Sequence, residues 1–288
     1  MSTLVSDFQR PSGATLAVLG NGQRGSTPSV LLSFFREATY SKERTIIARV
    51  FVNVGENTQR ICMNHPSCSK LRRATTVLAT NRRNCFECCI GLPGLVFELA
   101  GHGARELNVV GPRGIGNFTQ SCQRFARRKH PLVQVKELGI DDLNSGTDHE
   151  LLGCKAVRTD LPYCGCVTSV AFGIAGTDAF TNAVVHFVET DLRKGQRLVV
   201  AFVDASTEQP HVRHRAASRQ RSVVDFRILC DRLKLLANAN VDMHVVHLTH
   251  HTVLQHPQYR EAFVKCLHSN TTQHEVCVEA DASRSFGG

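Results

Sequence analysis

The sequence predicts an α/β chain, an αβ/βα sandwich in which two mixed β-sheets lie face to face with helices outside. Three observations carry this expectation. Short apolar runs rich in β-branched residues recur from 15–19 to 273–278. Segments with apolar residues three and four apart fall between them. The alternation occurs in two successive sets, one closing at 133–137 and one opening at 167–175. At 288 residues the chain is long enough to bury a large core.

Residues 15–19 and 30–35 read as strands flanking Gly20-Asn21-Gly22-Gln23-Arg24-Gly25. That connection lacks the Gly-Lys-Ser/Thr of a phosphate cradle, so a β-turn is expected. Residues 46–53 form the next strand, with Arg49 assigned to its more polar side. Residues 75–80 follow as a strand covered on both faces, because Val77, Leu78 and Ala79 are consecutive and apolar. A polar stretch, 81–89, leads to Gly91-Leu92-Pro93-Gly94, where Pro93 suits the first turn of a helix. That helix covers 92–100, and Gly101 is expected to end it in the left-handed conformation. A strand at 106–110 runs into Gly111-Pro112-Arg113-Gly114. The helix beyond it stacks Ile115, Phe118, Cys122 and Phe125 on one stripe. After a strand at 133–137, residues 139–166 read as the least regular part, with turn residues such as Asn144 and Gly146.

The second set has strands at 167–175, 183–188 and 198–203, and then a basic segment, 211–221. A helix over 222–237 turns Phe226, Leu229, Leu233 and Leu236 inward. Residues 243–248 are a buried strand, followed by a helix with Pro257 in its first turn and Tyr259, Phe263, Cys266 and Leu267 on its buried face. A strand at 273–278 closes the sheet, and the tail beyond Glu279 is expected to fray.

Twelve cysteines without a secretory apolar region indicate free thiols in a reducing compartment. No apolar run reaches the roughly 20 residues that a bilayer-spanning helix needs, so no membrane partner is expected. The net charge is +9, which favours a polyanionic partner such as RNA. The cations cluster, and Arg72, Arg73, Arg124, Arg127, Arg128, Lys129, Arg213 and Arg215 are candidates for RNA contact. Solvated faces without a ligand, or helix-dipole compensation for the cluster around Arg124, account for the same residues.

Several motifs occur together in a recognisable order. Thr15-Leu16-Ala17-Val18-Leu19-Gly20 opens the chain, and Val52-Asn53-Val54-Gly55-Glu56-Asn57-Thr58-Gln59-Arg60 follows it. Gly91-Leu92-Pro93-Gly94 and Gly111-Pro112-Arg113-Gly114 come next. Val245-Val246-His247-Leu248, Tyr259-Arg260 and Thr272-Gln273-His274 stand near the end. In this order the chain resembles the metallo-β-lactamase-type tRNA 3′-processing endonucleases, ribonuclease Z or tRNase Z, and in particular the amino-terminal, noncatalytic half of their long form. The resemblance implies a metallo-β-lactamase-like sandwich occupying residues 13–280, between tails at 1–12 and 281–288. It also implies a structural role for Gly55, Glu56, Thr58, Gln59, Arg60, Gly91, Leu92, Pro93 and Gly94. Asn57 departs from the glycine of the family motif, and asparagine tolerates the positive φ that position would need.

Catalytic members carry His-x-His-x-Asp-His after the 75–80 strand, where imidazoles and a carboxylate hold two zinc ions that activate water. Here the stretch is Asn81-Arg82-Arg83-Asn84-Cys85-Phe86-Glu87-Cys88-Cys89, with no histidine. Arg82 and Arg83 would repel a cation. Arg83, Cys85, Glu87 and Cys88 therefore mark degenerate metal-loop positions, no residue is assigned to catalysis, and zinc is not expected to be held. Two zinc alternatives are open. Cys85 and Cys88 form a Cys-x-x-Cys half-site without a second pair at matching spacing, and His247, His250 and His251 cluster at a strand end.

The expected function is a noncatalytic tRNase Z-like subunit or half. It would support tRNA 3′-end or other RNA processing by binding precursor tRNA or rRNA and by pairing with a catalytic half or second subunit. A pseudoenzyme serving as a structural component of a larger ribonucleoprotein or RNA-processing complex is the alternative, and a nuclease with unusual metal ligands is the third. The chain is expected to be intracellular, in the mitochondrion or the nucleus.

Overall fold

The structure, a computed structural model, describes residues 10–20, 27–38, 43–64, 68, 71–80, 88–126, 129–138, 150–151, 154–162, 164–173, 182–193, 195–203, 241–248, 271–275 and 283–286. Among these, fourteen strands form two sheets of seven. The first sheet contains β1 (Gly13–Gly20), β2 (Ser29–Glu37), β3 (Arg44–Val52), β4 (Ala74–Leu78), β5 (Glu106–Pro112) and β6 (Leu132–Leu138). The second contains β7 (Glu150–Leu151), β8 (Cys154–Leu161), β9 (Gly165–Gly173), β10 (Asn182–Asp191), β11 (Arg197–Val203), β12 (Val241–His247) and β13 (Thr271–Glu275). The last strand, β14 (Ser283–Phe286), returns to the first sheet beside β1.

Both sheets are mixed, as expected. β1, β2 and β3 pair antiparallel, whereas β3 through β6 run parallel. In the second sheet β7 through β11 are antiparallel and β11, β12 and β13 parallel. The parallel strands β4, β5 and β6 are joined by helical crossovers, as parallel neighbours require. These are α2 (Leu92–Gly101) and α3 (Ile115–Ala126), and a shorter helix, α1 (Thr58–Asn64), follows β3.

Side-chain alternation divides the core into two layers. On β2 and β3, Val30, Leu32, Phe34, Ala48, Val50 and Val52 face the second sheet, where Val167, Val188, Leu198, Val200, Phe202 and Val246 meet them. Leu31 and Phe51, one residue out of phase, point outward beneath Leu92, Leu95 and Leu99 of α2. Val77, Leu78 and Ala79 are fully buried, as the apolar run on a central parallel strand predicts. The sheets are also tied at one end, where Arg193 donates from its backbone N–H to Pro11 O at 3.0 Å and from Nη1 to Glu37 O at 3.1 Å.

Four expectations need correction. Arg49 does not lie on a polar face. It is 1% exposed, on the outward side of β3 beneath α1, because the neighbouring strands β2 and β4 and the cover of α1 leave no polar side there. Gly101 does not end α2 in the left-handed region; Gly103 does, with φ 77°, one residue beyond the cap at His102. The supposedly irregular 139–166 contains β7 and β8. Along β8, Thr159 and Leu161 are buried while Arg158 and Asp160 are exposed, the period-two pattern of a half-covered strand. The tail beyond Glu279 does not simply fray, since Ser283–Phe286 pairs antiparallel with β1 and covers its open edge.

The helix expected over 222–237, the helix around Pro257 and the basic segment with Arg213 and Arg215 lie outside the described residues. So do His250 and His251.

Candidate functional site: the carboxyl end of the first sheet

In an open parallel sheet, ligands bind beyond the carboxyl ends of the strands. Here that end is where β3 leads to the Gly55–Arg60 motif and β4 leads to residues 81–87. The turn after β3 depends on two asparagines in the left-handed region, Asn53 at φ 57° and Asn57 at φ 67°. Asn57 thus adopts the conformation expected of it.

Asn53 is buried and locks the neighbouring turn. Its Nδ2 donates to Pro28 O at 3.2 Å and to Thr80 Oγ1 at 3.0 Å. Its Oδ1 accepts from the Thr80 backbone N–H at 3.1 Å. The two strand ends are fastened further by Asn53 N–H to Leu78 O at 2.8 Å and Ala79 N–H to Val110 O at 2.8 Å.

The glycine turn before α2 closes against the same segment. Val54 donates to Cys88 O at 2.5 Å, and Gly91 donates to Val54 O at 2.9 Å. A Cβ on Gly91 would stand 2.0 Å from Gly55 O, and one on Gly55 would stand 2.5 Å from Thr27 Cβ. Close backbone approach therefore requires both glycines. Thr58 Oγ1 donates to Gly55 O at 2.8 Å, and Gln59 packs on Gly94, where a Cβ would meet its Oε1 at 2.5 Å. Leu92 is buried and Pro93 sits in the first turn of α2. Glu56 and Arg60 are exposed.

Zinc is the metal that the family resemblance implies, and the described residues of the 81–89 stretch do not fit it. Of the 81–89 stretch, Cys88 and Cys89 are described, and both are packed into the outer core layer at 3% and 0% exposure. No group of three His, Cys, Asp or Glu side chains converges among the described residues. Arg83, Cys85 and Glu87 lie outside them, and the stretch as a whole has two arginines and no imidazole.

The basic candidates separate. Arg72, Arg73, Arg124 and Lys129 are all exposed, but they stand at the amino end of β4, β5 and β6, opposite the 81–87 stretch. Arg127 and Arg128 lie outside the described residues. At the carboxyl end, Glu137 Oε1 accepts the backbone N–H groups of Gly114 at 3.1 Å and Gly116 at 2.5 Å. A carboxylate of the chain itself thus occupies the start of α3, where an anion would otherwise be favoured.

Two buried polar groups escaped the sequence reading. His186 on β10 is fully buried. Its Nε2 lies 2.9 Å from Ala79 O, and its Nδ1 lies 2.7 Å from Ser169 Oγ. A carbonyl can only accept, so Nε2 carries the proton and Nδ1 accepts from the Ser169 hydroxyl. Burial pushes the imidazole down to about 4, against the opposing pull of the Ala79 carbonyl. The signal was a lone histidine inside Val184-Val185-His186-Phe187-Val188, on a strand otherwise apolar.

The second is Arg49 with Cys62 and Cys68. The Cys62 thiol hydrogen-bonds the Cys68 sulfur; this bond, with burial, raises Cys62, and the same bond, with the Arg49 guanidinium, lowers Cys68 against the opposing effect of burial. Burial lowers the Arg49 guanidinium, and the two sulfurs oppose that shift. Nothing in the spacing of Cys62 and Cys68 shows that the fold brings them together.

No family model matches the chain. The mitochondrial ribonuclease Z of Drosophila melanogaster is 32% identical over 127 residues, 44% of this chain and 15% of that protein. A mitochondrial tRNase Z of Arabidopsis thaliana is 33% identical over 151 residues, 51% of this chain and 14% of that protein. Among solved structures, the metallo-β-lactamase fold protein YhfI from Bacillus subtilis aligns over 95% of this chain and 99% of its own, with a TM-score of 0.48 and 11% identity. A long-form RNase Z from yeast aligns over 90% of this chain and 34% of its own, with a TM-score of 0.43 and 13% identity. The curated proteins that this chain resembles are ribonuclease Z and tRNase Z proteins, and the matched stretch is 15% and 14% of the first two relatives' own length.

Proposed function

We propose that this chain is a noncatalytic tRNase Z-like subunit or half that serves tRNA 3′-end processing, or processing of another RNA, by binding RNA and pairing with a catalytic partner. The observation that carries this reading is the 81–89 stretch. In a chain whose curated relatives are tRNase Z proteins, it holds two arginines and no histidine where two zinc ions would need imidazoles. The turns around that stretch keep their geometry through Asn53, Thr80, Gly55 and Gly91, so the reading is of a scaffold retained and a metal centre lost. The relatives are named mitochondrial, which favours the mitochondrion over the nucleus for this chain.

The test is metal analysis of the purified chain, together with cleavage of a precursor tRNA by the chain alone and with its co-purified partners. Less than one zinc per chain, with cleavage appearing only when a partner is present, is the expected result. Two zinc ions per chain with cleavage by the chain alone would overturn the proposal. Co-purification with a ribonucleoprotein that lacks any tRNase Z-like catalytic chain would replace it with the structural-component reading.

A further inference from the structure

The exposed cations at the amino end of the first sheet converge in a way the sequence does not show. Arg72 and Arg73 close a 3-10 turn (Leu71–Arg73) immediately before β4, and Arg105 immediately precedes β5. Thr76 pairs with Asn108 and Glu106 with Leu132, so the parallel strands β4, β5 and β6 begin at the same end of the sheet. Arg73 and Arg105 thus immediately precede adjacent strands at that end. The Arg105 carbonyl accepts the Leu132 N–H at 2.7 Å, which holds the start of β6 there. Lys129 lies just before β6, and Arg124 is in the last turn of α3, the helix that carries the chain back to this end.

All five side chains are exposed. Among the described residues none of the five is held in an ion pair. The described carboxylates on the same rim are Glu106 and Glu98, and Glu98 is engaged by His102 Nε2 at 3.2 Å. The adjoining corner adds Glu43 and the neutral pair of Glu37 with Arg44. The rim is therefore positive along the line from β4 to β6. It is separated from the carboxyl end of the sheet by the length of β5, about 20 Å at about 3.3 Å per residue.

We propose that Arg72, Arg73, Arg105, Arg124 and Lys129 form a binding surface for the phosphodiester backbone of RNA, at the amino end of β4, β5 and β6. Four of the five are arginines, whose planar fork matches phosphate oxygens two at a time. The contacts go to phosphates alone, so the surface holds and orients RNA without reading sequence. The assignment of RNA rests on the proposed function, and the placement of the surface rests on strand register and exposure.

The test uses the full chain and a labelled precursor tRNA, with binding measured across a salt series. Arg73→Gln/Arg105→Gln removes two rim charges; Lys136→Gln/Arg158→Gln removes two exposed charges elsewhere, on β6 and β8. Each phosphate contact contributes roughly 0.7–0.9 to the slope of log K against log salt. The rim variant should therefore lower that slope by about 1.4–1.8 and weaken binding by about tenfold at fixed salt, with both variants melting like the parent. The other variant should stay within about twofold of the parent. Equal weakening by the two variants, or weakening by the second alone, overturns the rim and leaves the RNA reading standing. No parent binding to precursor tRNA at low salt overturns both. Retention on phosphatidylserine vesicles under conditions where precursor tRNA is not retained overturns the assignment to RNA.

Discussion

The buried imidazole of His186 should make this protein acid-sensitive by an amount the structure sets. Burial depresses it to about 4, against about 6.5 in the unfolded chain. Between those values the unfolded state binds a proton that the native state does not, so stability rises with pH there and is lost as pH falls. From pH 7.5 to pH 5 that single group removes about 2 kcal/mol. His186→Gln removes the titration while keeping a side chain able to donate or accept. At pH 7.5 the substitution should cost about 1–3 kcal/mol, because either Ala79 O or Ser169 Oγ loses its partner in a dry interface. At pH 5 the difference between parent and variant should shrink by about 2 kcal/mol, or reverse. Urea unfolding of both proteins at the two pH values measures this directly, and the subtraction cancels His244, which burial also lowers. A parent–variant difference that is the same at pH 5 and 7.5 would refute the reasoning, since it would mean that His186 takes up its proton equally in both states.

Three further outcomes follow from the turns and the thiols. Asn53→Ala should destabilise by about 3 kcal/mol or more, because it orphans Thr80 N–H and Pro28 O and puts a Cβ-bearing apolar residue at φ 57°; Asn53→Gly should recover about 1 kcal/mol of that, read from chemical denaturation. Gly91→Ala should cost about 2 kcal/mol, visible as a drop of several degrees in Tm, since its Cβ would meet backbone atoms of Gly55 that can yield only if the turn moves. In native-state alkylation followed by peptide mass spectrometry, half-buried Cys122 should react before Cys62, Cys68, Cys88, Cys89 and Cys164, which are all buried and should become reactive only on unfolding.

Much of the first sheet was legible because its strands announce themselves by period and its turns by glycine. Val77, Leu78 and Ala79 could only be a strand covered twice, and Pro93 could only stand at a helix start. β8 was missed because Lys155, Arg158 and Asp160 look like loop chemistry, although Val157, Thr159 and Leu161 alternate with Arg158 and Asp160. β14 was missed because a four-residue strand is stabilised by the open edge it meets, which lies far away in sequence. Arg49 was misplaced for a related reason. A period-two rule assigns its face correctly but cannot say that α1 and the turn ending at Arg73 will cover that face. The candidate site was legible as a motif and not as a geometry. Nothing in Asn53 alone shows that its amide will hold Thr80, and nothing in Arg73 and Arg105 shows that they will precede adjacent strands at one end of the sheet.

The hydrogen bonds at the carboxyl end bear on which positions there can change without loss of the fold. The turns there are held by Asn53 to Thr80, Val54 to Cys88, Gly91 to Val54, Ala79 to Val110 and His186 to Ala79. Most of these contacts are made by backbone atoms, and all of them join described residues outside 81–87. These bonds are then independent of the side chains at 81–87. Each hydrogen bond contributes about 1 kcal/mol net. Replacing imidazoles in the 81–87 stretch would leave the bonds in place, whereas Asn53→Ala would break several together. On this physical ground the 81–87 stretch should tolerate substitution far better than the four residues Asn53, Gly55, Thr80 and Gly91. Placing histidines at Arg83 and Cys85 should accordingly leave the melting temperature within about two degrees of the parent. A loss as large as that of Asn53→Ala would show that the stretch has become part of what holds the sheet together.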